Sequence, residues 1–424
     1  MDRAVTQDLL ARREAVLGPR MTTFYDEPVH IVRGEGVWLW DAEGNRYLDC
    51  YNNVPHVGHC HPKVVEAICR QAATLNTHTR YLHEGIVAYA ERLTALFAPR
   101  LDHVIMCCTG SEANDIALRM AEAVTGKRGI IATDHTYHGN TAAVAALSRT
   151  NPSRTGDGSH VAHVPAPDSY RGADAGAFAA AVREAIARLQ AGPHGFAGII
   201  LCPFFANEGF PDLPPGWLDE TIAAVREAGG VVIADEVQPG FGRLGSHWWG
   251  HARMGFTPDV VTLGKPMGNG HPVAAVVATE AVQTAFRDTF RYFNTFAGNP
   301  VSCAAANAVL DVIEQEGLMA RAREVGDYAR GLLAELAGRH EVIGDVRGQG
   351  MFFGAELVLD RTAKTPATDY CERVVNALRH RGILLNRLGL HYNVLKIRPS
   401  LQFGREHADM LAETLDRVLS ELAP

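Results

Sequence analysis

From residue 85 to residue 278 the sequence repeats one alternation: a stretch with helical periodicity, then a short apolar run, with polar or glycine-rich turns between them. Helical spacing covers 86–96, 113–124, 177–189 and 217–228. The apolar runs fall at 103–107, 129–133, 198–202, 231–234, 260–263 and 272–278. Strands separated by helices pair side by side through crossovers, which predicts a mainly parallel sheet covered on both faces. Ligands of such sheets bind beyond the carboxyl ends of the strands, so the residues that follow each apolar run carry the interest.

The run at 260–263 ends in the turn GKPMGNG and places Lys265 at that edge. Lysine is scarce: Lys63, Lys127, Lys265, Lys364 and Lys396 are the five lysines, against 35 arginines in a Lys+Arg total of 40. Lys63, Lys127 and Lys364 sit in polar helix-start or loop contexts, and Lys396, in the apolar run VLKIRP, is a lesser competitor. Taken alone, Lys265 reads as a solvated loop lysine. Flanked by Gly264 and Pro266, its amine can instead be desolvated and form a Schiff base with an aldehyde cofactor. The run at 231–234 ends at Asp235, in VVIADEVQPGFGR, 231–243. A half-buried carboxylate there can be a metal ligand, a general base or the partner of a protonated ring nitrogen, and Asp235 and Glu236 can equally be ordinary loop acids. One strand from Lys265, the ring-nitrogen role is favoured.

The other strand ends add a phosphate and a ring. TGSEAN, 109–114, opens a helix in which Gly110 lets the backbone approach an anion and Ser111 supplies a hydroxyl and free amides; a plain helix cap is the alternative. It is neither a GxGxxG fingerprint nor a P-loop, which weakens nucleotide readings. In DHTYHGN, 134–140, Tyr137 beside His138 can stack on a planar ring or pack in the core. Thr295, in YFNTFAGNP, can donate to a phosphate or simply sit in a junction turn. Arg398, in LKIRPS, can hold a carboxylate or phosphate as a fork or serve in a structural ion pair. A Schiff-base lysine, a ring-nitrogen acid, a phosphate-binding helix start and a stacking aromatic together match what pyridoxal phosphate requires.

Composition excludes other classes. The 424 residues, 47% hydrophobic and 21% charged, suit a globular chain of two domains. The net charge of −8 comes without runs of like charge, so neither nucleic acid nor an anionic membrane is an expected partner. No apolar run is long enough to span a bilayer, and MDRAVTQDLLARRE lacks a signal-peptide core, which makes a cytoplasmic location the expectation. Eight cysteines without a CxxC pair suggest reduced, buried thiols. HVGHCH, 56–61, tempts a metal reading, but there is no second ligand cluster and Pro62 looks like a helix start, so no metal is expected.

Outside the alternating region, 1–28 begins with an amphipathic helix pattern, and 31–50 shows period two with Glu43-Gly44-Asn45 as the turn of an antiparallel ribbon. After Asn299 the chain is helical to about Arg339, then mixes strands and helices. The expected division is a large domain, 55–298, and a small α+β domain built from 1–54 and 299–424.

With these residues in hand the sequence resembles the class III aminotransferase family of pyridoxal-phosphate enzymes of fold type I, over nearly the whole chain. By that resemblance Lys265 is the Schiff-base lysine, Asp235 pairs with the pyridine nitrogen, and Val237 packs on the ring face opposite Tyr137. Gly110 and Ser111 hold the cofactor phosphate, with His138 and Gln238 also beside the cofactor. Thr295 reaches the phosphate of a neighbouring subunit's cofactor, which implies a homodimer with shared active sites.

Within the family, YLDCYNNVPHVGHCHP, NTHTRYLH, HVPAPDSYRG, YFNTFAGNPVSCA and GDVRGQGMFFGAEL with TPAT resemble the phospho-lyases of ethanolamine phosphate and 5-phosphohydroxylysine more than ω-transaminases. One departure points the same way: 202–217 reads CPFFANEGFPDLPPGW, so the usual gating glutamate is absent or displaced to Glu208. Another points back, because Arg398 occupies the position of the transaminase carboxylate-binding arginine. The expectation is a lyase that eliminates phosphate from an O-phosphorylated amino alcohol, with an ω-transaminase as the alternative. Arg398, helped by Lys396 or Arg80, is the expected phosphate clamp, and Asn52, Asn53 and His56 are expected to orient the substrate.

Overall fold

The apolar runs become the centre of one seven-stranded sheet. The computed structural model describes residues 3–19, 21–149 and 158–424. Strand order is His103–Cys107, Ala274–Ala278, Val260–Leu263, Val231–Asp235, Gly198–Leu201, Ile130–Thr133, Val161–Val164. Every residue of the five inner strands is buried, because helices cover both faces; such strands read as unbroken apolar runs. Helices Gly110–Thr125 and Glu280–Thr289 pack on one face, and Ala175–Ala191 with Asp219–Glu227 on the other. Each fully buried Ile, Val or Leu in these layers contributes about 1.5–3 kcal/mol.

Strand Val161–Val164 was not among the runs legible in the sequence. It is an edge strand of four residues with alternating burial, and His163 interrupts its apolar character. The sheet is also less uniformly parallel than the alternation suggests. Ala274–Ala278 runs antiparallel to both neighbours, whereas the other four pairings are parallel. Its entry end therefore lies at the same edge as the carboxyl ends of the others, and residues 271–273 join Cys108, Cys202, Asp235 and Lys265 there.

Toward the amino terminus the ribbon has three strands, Ile31–Glu35, Trp38–Asp41 and Arg46–Asp49, because Gly36 at φ +58° makes a second turn. Strand Ile383–Leu384 joins it in parallel. Strands Ile343–Gln349, Phe352–Asp360, Val394–Ile397 and Asn386–Leu388 form an antiparallel sheet. The helix Arg3–Leu17 forms, but none of its described side chains, 6–17, is buried, so the expected amphipathic packing is absent within one chain. Pro62 does open helix Pro62–Thr74. All eight cysteines are free thiols; Cys60 and Cys69 are exposed, contrary to the expectation of buried thiols.

Two backbone bonds fasten the segment after the ribbon to the small sheet: Arg398 N donates to the Cys50 carbonyl at 2.7 Å, and Leu401 N to the His56 carbonyl at 2.8 Å. Residues 50–56 thus lie beside the strand end that carries Lys396 and Arg398.

Candidate active site

Strand register brings the first two candidates together. Asp235 is the partner of Thr262, three residues before Lys265, so carboxylate and amine emerge from adjacent strand ends. Both line a cavity of about 270 Å³, together with Gly110, Ser111, Tyr137, His138, Val237 and Gln238. Lys265 turns its side chain into this cavity. The side chain is open to the cavity, but the protein packed around it, and then the positive charge of Arg398, hold its amine below the usual lysine pKa, while Asp235 partly opposes them. A lysine so placed has a larger neutral, nucleophilic fraction at a given pH.

Asp235 is fixed from three sides. His138 Nδ1 donates to its Oδ2 at 2.6 Å, Asn114 Nδ2 donates to the same oxygen at 3.0 Å, and the Val237 amide donates to Oδ1 at 3.0 Å. Burial alone would raise its pKa and is the largest influence, but the hydrogen bond and charge of His138, the Val237 amide and Lys265 together outweigh it and keep the carboxyl below its ordinary value. The donors are themselves held: Thr262 Oγ1 donates to Asn114 Oδ1 at 2.6 Å, and Thr136 Oγ1 lies 2.8 Å from His138 Nε2. An ionised carboxylate in this nest can keep a heteroaromatic nitrogen protonated.

At the start of helix Gly110–Thr125 a capping box leaves the first amides free. Thr109 Oγ1 accepts from the Glu112 amide at 3.1 Å, and Glu112 Oε2 accepts from the amides of Cys108 and Thr109 at 2.7 and 3.1 Å. The Gly110 and Ser111 amides, which precede any intrahelical acceptor, are thus available to an anion at the positive end of the helix. Ser111 Oγ accepts from the Asn140 amide at 3.1 Å, so its hydroxyl proton remains to be donated. Glycine is required alongside: a Cβ at Gly139, where φ is +142°, would come within 2.5 Å of Ser111 Oγ and 2.8 Å of its Cα. A Cβ at Gly110 would press on both Val237 methyls at 3.0 and 3.1 Å, so Val237 packs closely beneath the helix start. Tyr137, its hydroxyl donating to Asn140 Oδ1 at 2.9 Å, lines the cavity as well.

Behind Gln238 lie two more cations. Gln238 Oε1 accepts from Lys396 Nζ at 3.3 Å and from Arg398 Nη1. Arg398 also reaches the Tyr51 carbonyl from Nε and Nη2, both at 3.4 Å. Among the described residues no carboxylate lies within 4.0 Å of either cation, although both are buried. Burial lowers the pKa of each, and for Lys396, where the charges of Arg398 and Lys265 add to it, the amine is pushed well below the usual lysine range. The sequence offered Lys396 as a lesser alternative to Lys265 and, with Arg80, as a helper of Arg398; the structure places it beside Arg398. The available signal was a lysine two residues before an arginine on one strand, which alternation places on the same face.

The remaining expected site residues are placed differently. His56 is fully enclosed: its Nε2 donates to the Phe241 carbonyl at 2.7 Å and its Nδ1 accepts from Arg243 at 2.9 Å, so both ring nitrogens are used inside the protein and it does not line the cavity. Asn53 is buried beside the cavity residue Val54, and neither amide atom has a hydrogen-bond partner. Asn52 is tied to Asp49 at 3.0 Å. Arg80 stacks over Phe293 at 3.7 Å on an exposed loop, and Thr295 is exposed nearby; neither lines this chain's cavity. Glu208 points away from it, accepting from Thr133 Oγ1 at 2.5 Å, whereas the preceding Asn207 lines the wall. Glu236 accepts the Gly250 and His251 amides at 2.9 and 2.7 Å, a structural role. His59 pairs with Asp49 and His61 with Glu316, so the histidines of HVGHCH diverge.

An amine and a ring-nitrogen carboxylate at adjacent strand ends, with a free helix start and side-chain-free glycines across from them, fit pyridoxal phosphate; this is a pyridoxal-phosphate enzyme of fold type I. The class III aminotransferase model matches residues 22–419, and the chain belongs to that family. A phospholyase from Arthrobacter, solved in complex with phosphoethanolamine, superposes with a TM-score of 0.95 at 45% identity, covering 98% of this chain and 100% of that one. Among named relatives, the alanine–glyoxylate aminotransferase 2-like protein of Drosophila melanogaster is 43% identical over 96% of this chain and 86% of its own length. The ethanolamine-phosphate phospho-lyase homolog 1 of Caenorhabditis elegans is 37% identical over 98% and 93%. No helix among the described residues is long and apolar enough to cross a membrane.

Proposed function

We propose that this chain is a phospho-lyase that eliminates inorganic phosphate from ethanolamine phosphate, leaving acetaldehyde and ammonia after hydrolysis. The observation that carries this reading is the buried pair Lys396 and Arg398, held by neutral oxygens and the rings of Tyr51 and Phe352, without a carboxylate, next to the Schiff-base lysine candidate. A buried guanidinium beside a buried amine, with no carboxylate partner, suits a dianion better than a monocarboxylate, because the second negative charge favours protonation of the amine. The Arthrobacter phospholyase and the Caenorhabditis elegans relative support the same substrate class.

Pyridoxal phosphate, when bound, supplies the electron sink that makes the C–H bond beside the substrate nitrogen acidic. Asp235 keeps the ring nitrogen protonated, and the Gly110 and Ser111 amides with the Ser111 hydroxyl hold the phosphate end. Lys265 takes the proton from the carbon bearing nitrogen, and the lowering of its pKa enlarges the neutral fraction that can accept it. Lys396 and Arg398 hold the phosphate on the next carbon as the C–O bond breaks and the electron pair leaves with it. A second copy completes the site: Leu82 and Phe296 are 101% and 73% exposed on the loops that bear Arg80 and Thr295, an apolar surface suited to a homodimer.

Transamination is the second reading, favoured by the Drosophila relative and by the capacity of Arg398 to fork onto a carboxylate. Incubation with ethanolamine phosphate and no keto acid separates the two. Stoichiometric phosphate and acetaldehyde are expected; no phosphate, with amination of an added keto acid, refutes the lyase.

A further inference from the structure

The loop that follows strand Gly198–Leu201 belongs to both halves of the molecule. Cys202 and Asn207 line the cavity, and the residues just beyond them pack into the small antiparallel sheet. Strand register shows where. Arg347, Gly354 and Lys396 are direct partners across three neighbouring strands, which sets their side-chain positions in one row on one face. Gly354, in the middle, leaves room, and Phe210 takes it: a Cβ on Gly354 would meet Phe210 Cζ at 3.0 Å. Phe210 is fully buried, with its ring 5.2 Å from that of Phe352, which lies 5.6 Å from Lys396 Nζ and 5.4 Å from the Arg398 guanidinium. On the other side of Phe210, Arg347 Nε donates to the Gly209 carbonyl at 2.8 Å.

Arg347 is itself held. It donates to Asp345 Oδ2 at 2.8 Å and pairs with Glu356 Oε2 at 2.7 Å, while Glu356 Oε1 accepts from Arg171 Nη1 at 2.7 Å and Asn393 Nδ2 at 3.2 Å. A buried polar network supplied this way rigidifies what it joins. Its members Arg171, Arg347 and Glu356 lie in HVPAPDSYRG and GDVRGQGMFFGAEL, yet none of them lines the cavity. The loop backbone is fitted to its place as well: Phe205 and Phe210 have φ of +47° and +41°, which bulky residues adopt only where their surroundings hold them.

The consequence is a fixed span. The substrate amine must reach Lys265 at the large sheet, whereas its phosphate must reach Lys396 and Arg398 on the small one. Arg347 and Phe210 set how far apart the two sheets stand between these points. Resting on the phospho-lyase reading for the identity of the substrate, we propose that Arg347 and Phe210 are positioning residues that form a spacer: they fix the accepted substrates as amino phosphates with two carbons between nitrogen and ester oxygen. Both act through the loop and the strand of Lys396, without touching the substrate.

The test compares ethanolamine phosphate with 3-aminopropyl phosphate, which is one methylene longer and carries its phosphate one carbon too far away to be eliminated. Half-saturating concentrations of both are read from the cofactor absorbance of the holoenzyme, and phosphate release is measured separately. A rigid site rejects one extra methylene by about 10- to 200-fold, so the wild type should prefer ethanolamine phosphate by about tenfold or more. Arg347→Lys, whose single ammonium cannot serve Gly209, Asp345 and Glu356 together, should cut that preference by about fivefold or more, and so should Phe210→Leu, which shortens the spacer. Val182→Ala, in the outer helix Ala175–Ala191, controls for plain loss of stability: it should lower the melting temperature and leave the preference unchanged. A wild-type preference below about tenfold, a cut smaller than about fivefold in either spacer variant, or an equal cut in Val182→Ala overturns the spacer. Preference that obeys Arg347 and Phe210 in an enzyme that releases no phosphate from ethanolamine phosphate refutes the lyase instead. Phosphate release from an enzyme whose preference ignores both residues refutes only the spacer.

Discussion

Two charged regions meet at this cavity, and they are built in opposite ways. Asp235 is an anion with donors from His138, Asn114 and the Val237 amide, and both side-chain donors are braced by a threonine. Lys396 and Arg398 have no carboxylate: they share one amide oxygen and otherwise meet only the Tyr51 carbonyl and the rings of Tyr51 and Phe352. A saturated group cannot change partners cheaply, whereas an undersupplied one gains by doing so. The first region is therefore suited to a permanent resident, the cofactor ring, and the second to a visitor that comes and goes.

Lys265 lies between the two regions, and its removal should have the largest effect. Lys265→Ala is expected to lower kcat by about 10⁴-fold or more and to abolish the visible absorbance of lysine-bound cofactor. Persistence of that band in the variant would sink the assignment. Asp235→Asn attacks the saturated region: an amide NH₂ or C=O now meets three fixed donors, and the ring nitrogen loses its anion. A fall in kcat on the order of 10³ is expected, with weaker cofactor retention. Lys396→Met attacks the undersupplied region and should act differently, raising KM for ethanolamine phosphate by about 10- to 100-fold, the worth of a charge-assisted hydrogen bond, while the cofactor spectrum stays unchanged. If both variants lost cofactor alike, the contrast between resident and visitor sites would collapse.

The saturated region was legible in the sequence because strand ends announce themselves. Unbroken apolar runs fixed where the sheet stops, and Asp235, Lys265 and the TGSEAN helix start follow those stops directly. What could not be read was pairing across the chain. His138 was expected near the cofactor, but its bond to Asp235, 97 positions away, depends on the strand order, and Asn114 reaches the same oxygen from a helix. The cation pair was half legible, since Lys396 and Arg398 alternate on one strand, but only the fold shows that Gln238 covers them. His56 misled because a histidine among polar residues looks like a site residue, whereas Arg243 and the Phe241 carbonyl claim both its nitrogens. The edge strand Val161–Val164 escaped notice because a half-exposed strand of four residues has too short a period to register.

The smallest effect belongs to Glu208, the acid that sequence comparison nominated as a displaced gate. It is buried outside the cavity, and burial raises its pKa above the ordinary glutamate value despite donation from Thr133 Oγ1 and the Asn207 amide. The sign of the linkage follows. A folded-state pKa above the unfolded one means the native protein binds this proton more tightly, so the contribution of Glu208 to stability is fully present below the unfolded value near 4.5 and is lost as pH rises through the raised folded value. Glu208→Gln keeps an acceptor for Thr133 and removes the charge. It should leave stability in mild acid nearly unchanged and raise the melting temperature at pH 8, by about 1 °C for each kcal/mol of charge penalty removed in a chain of 424 residues. Lyase activity should stay within about twofold of wild type, because Asn207, not Glu208, faces the cavity. A large loss of activity without loss of stability would place Glu208 back among the residues that act on the substrate and erase the distinction between the wall of the site and its support.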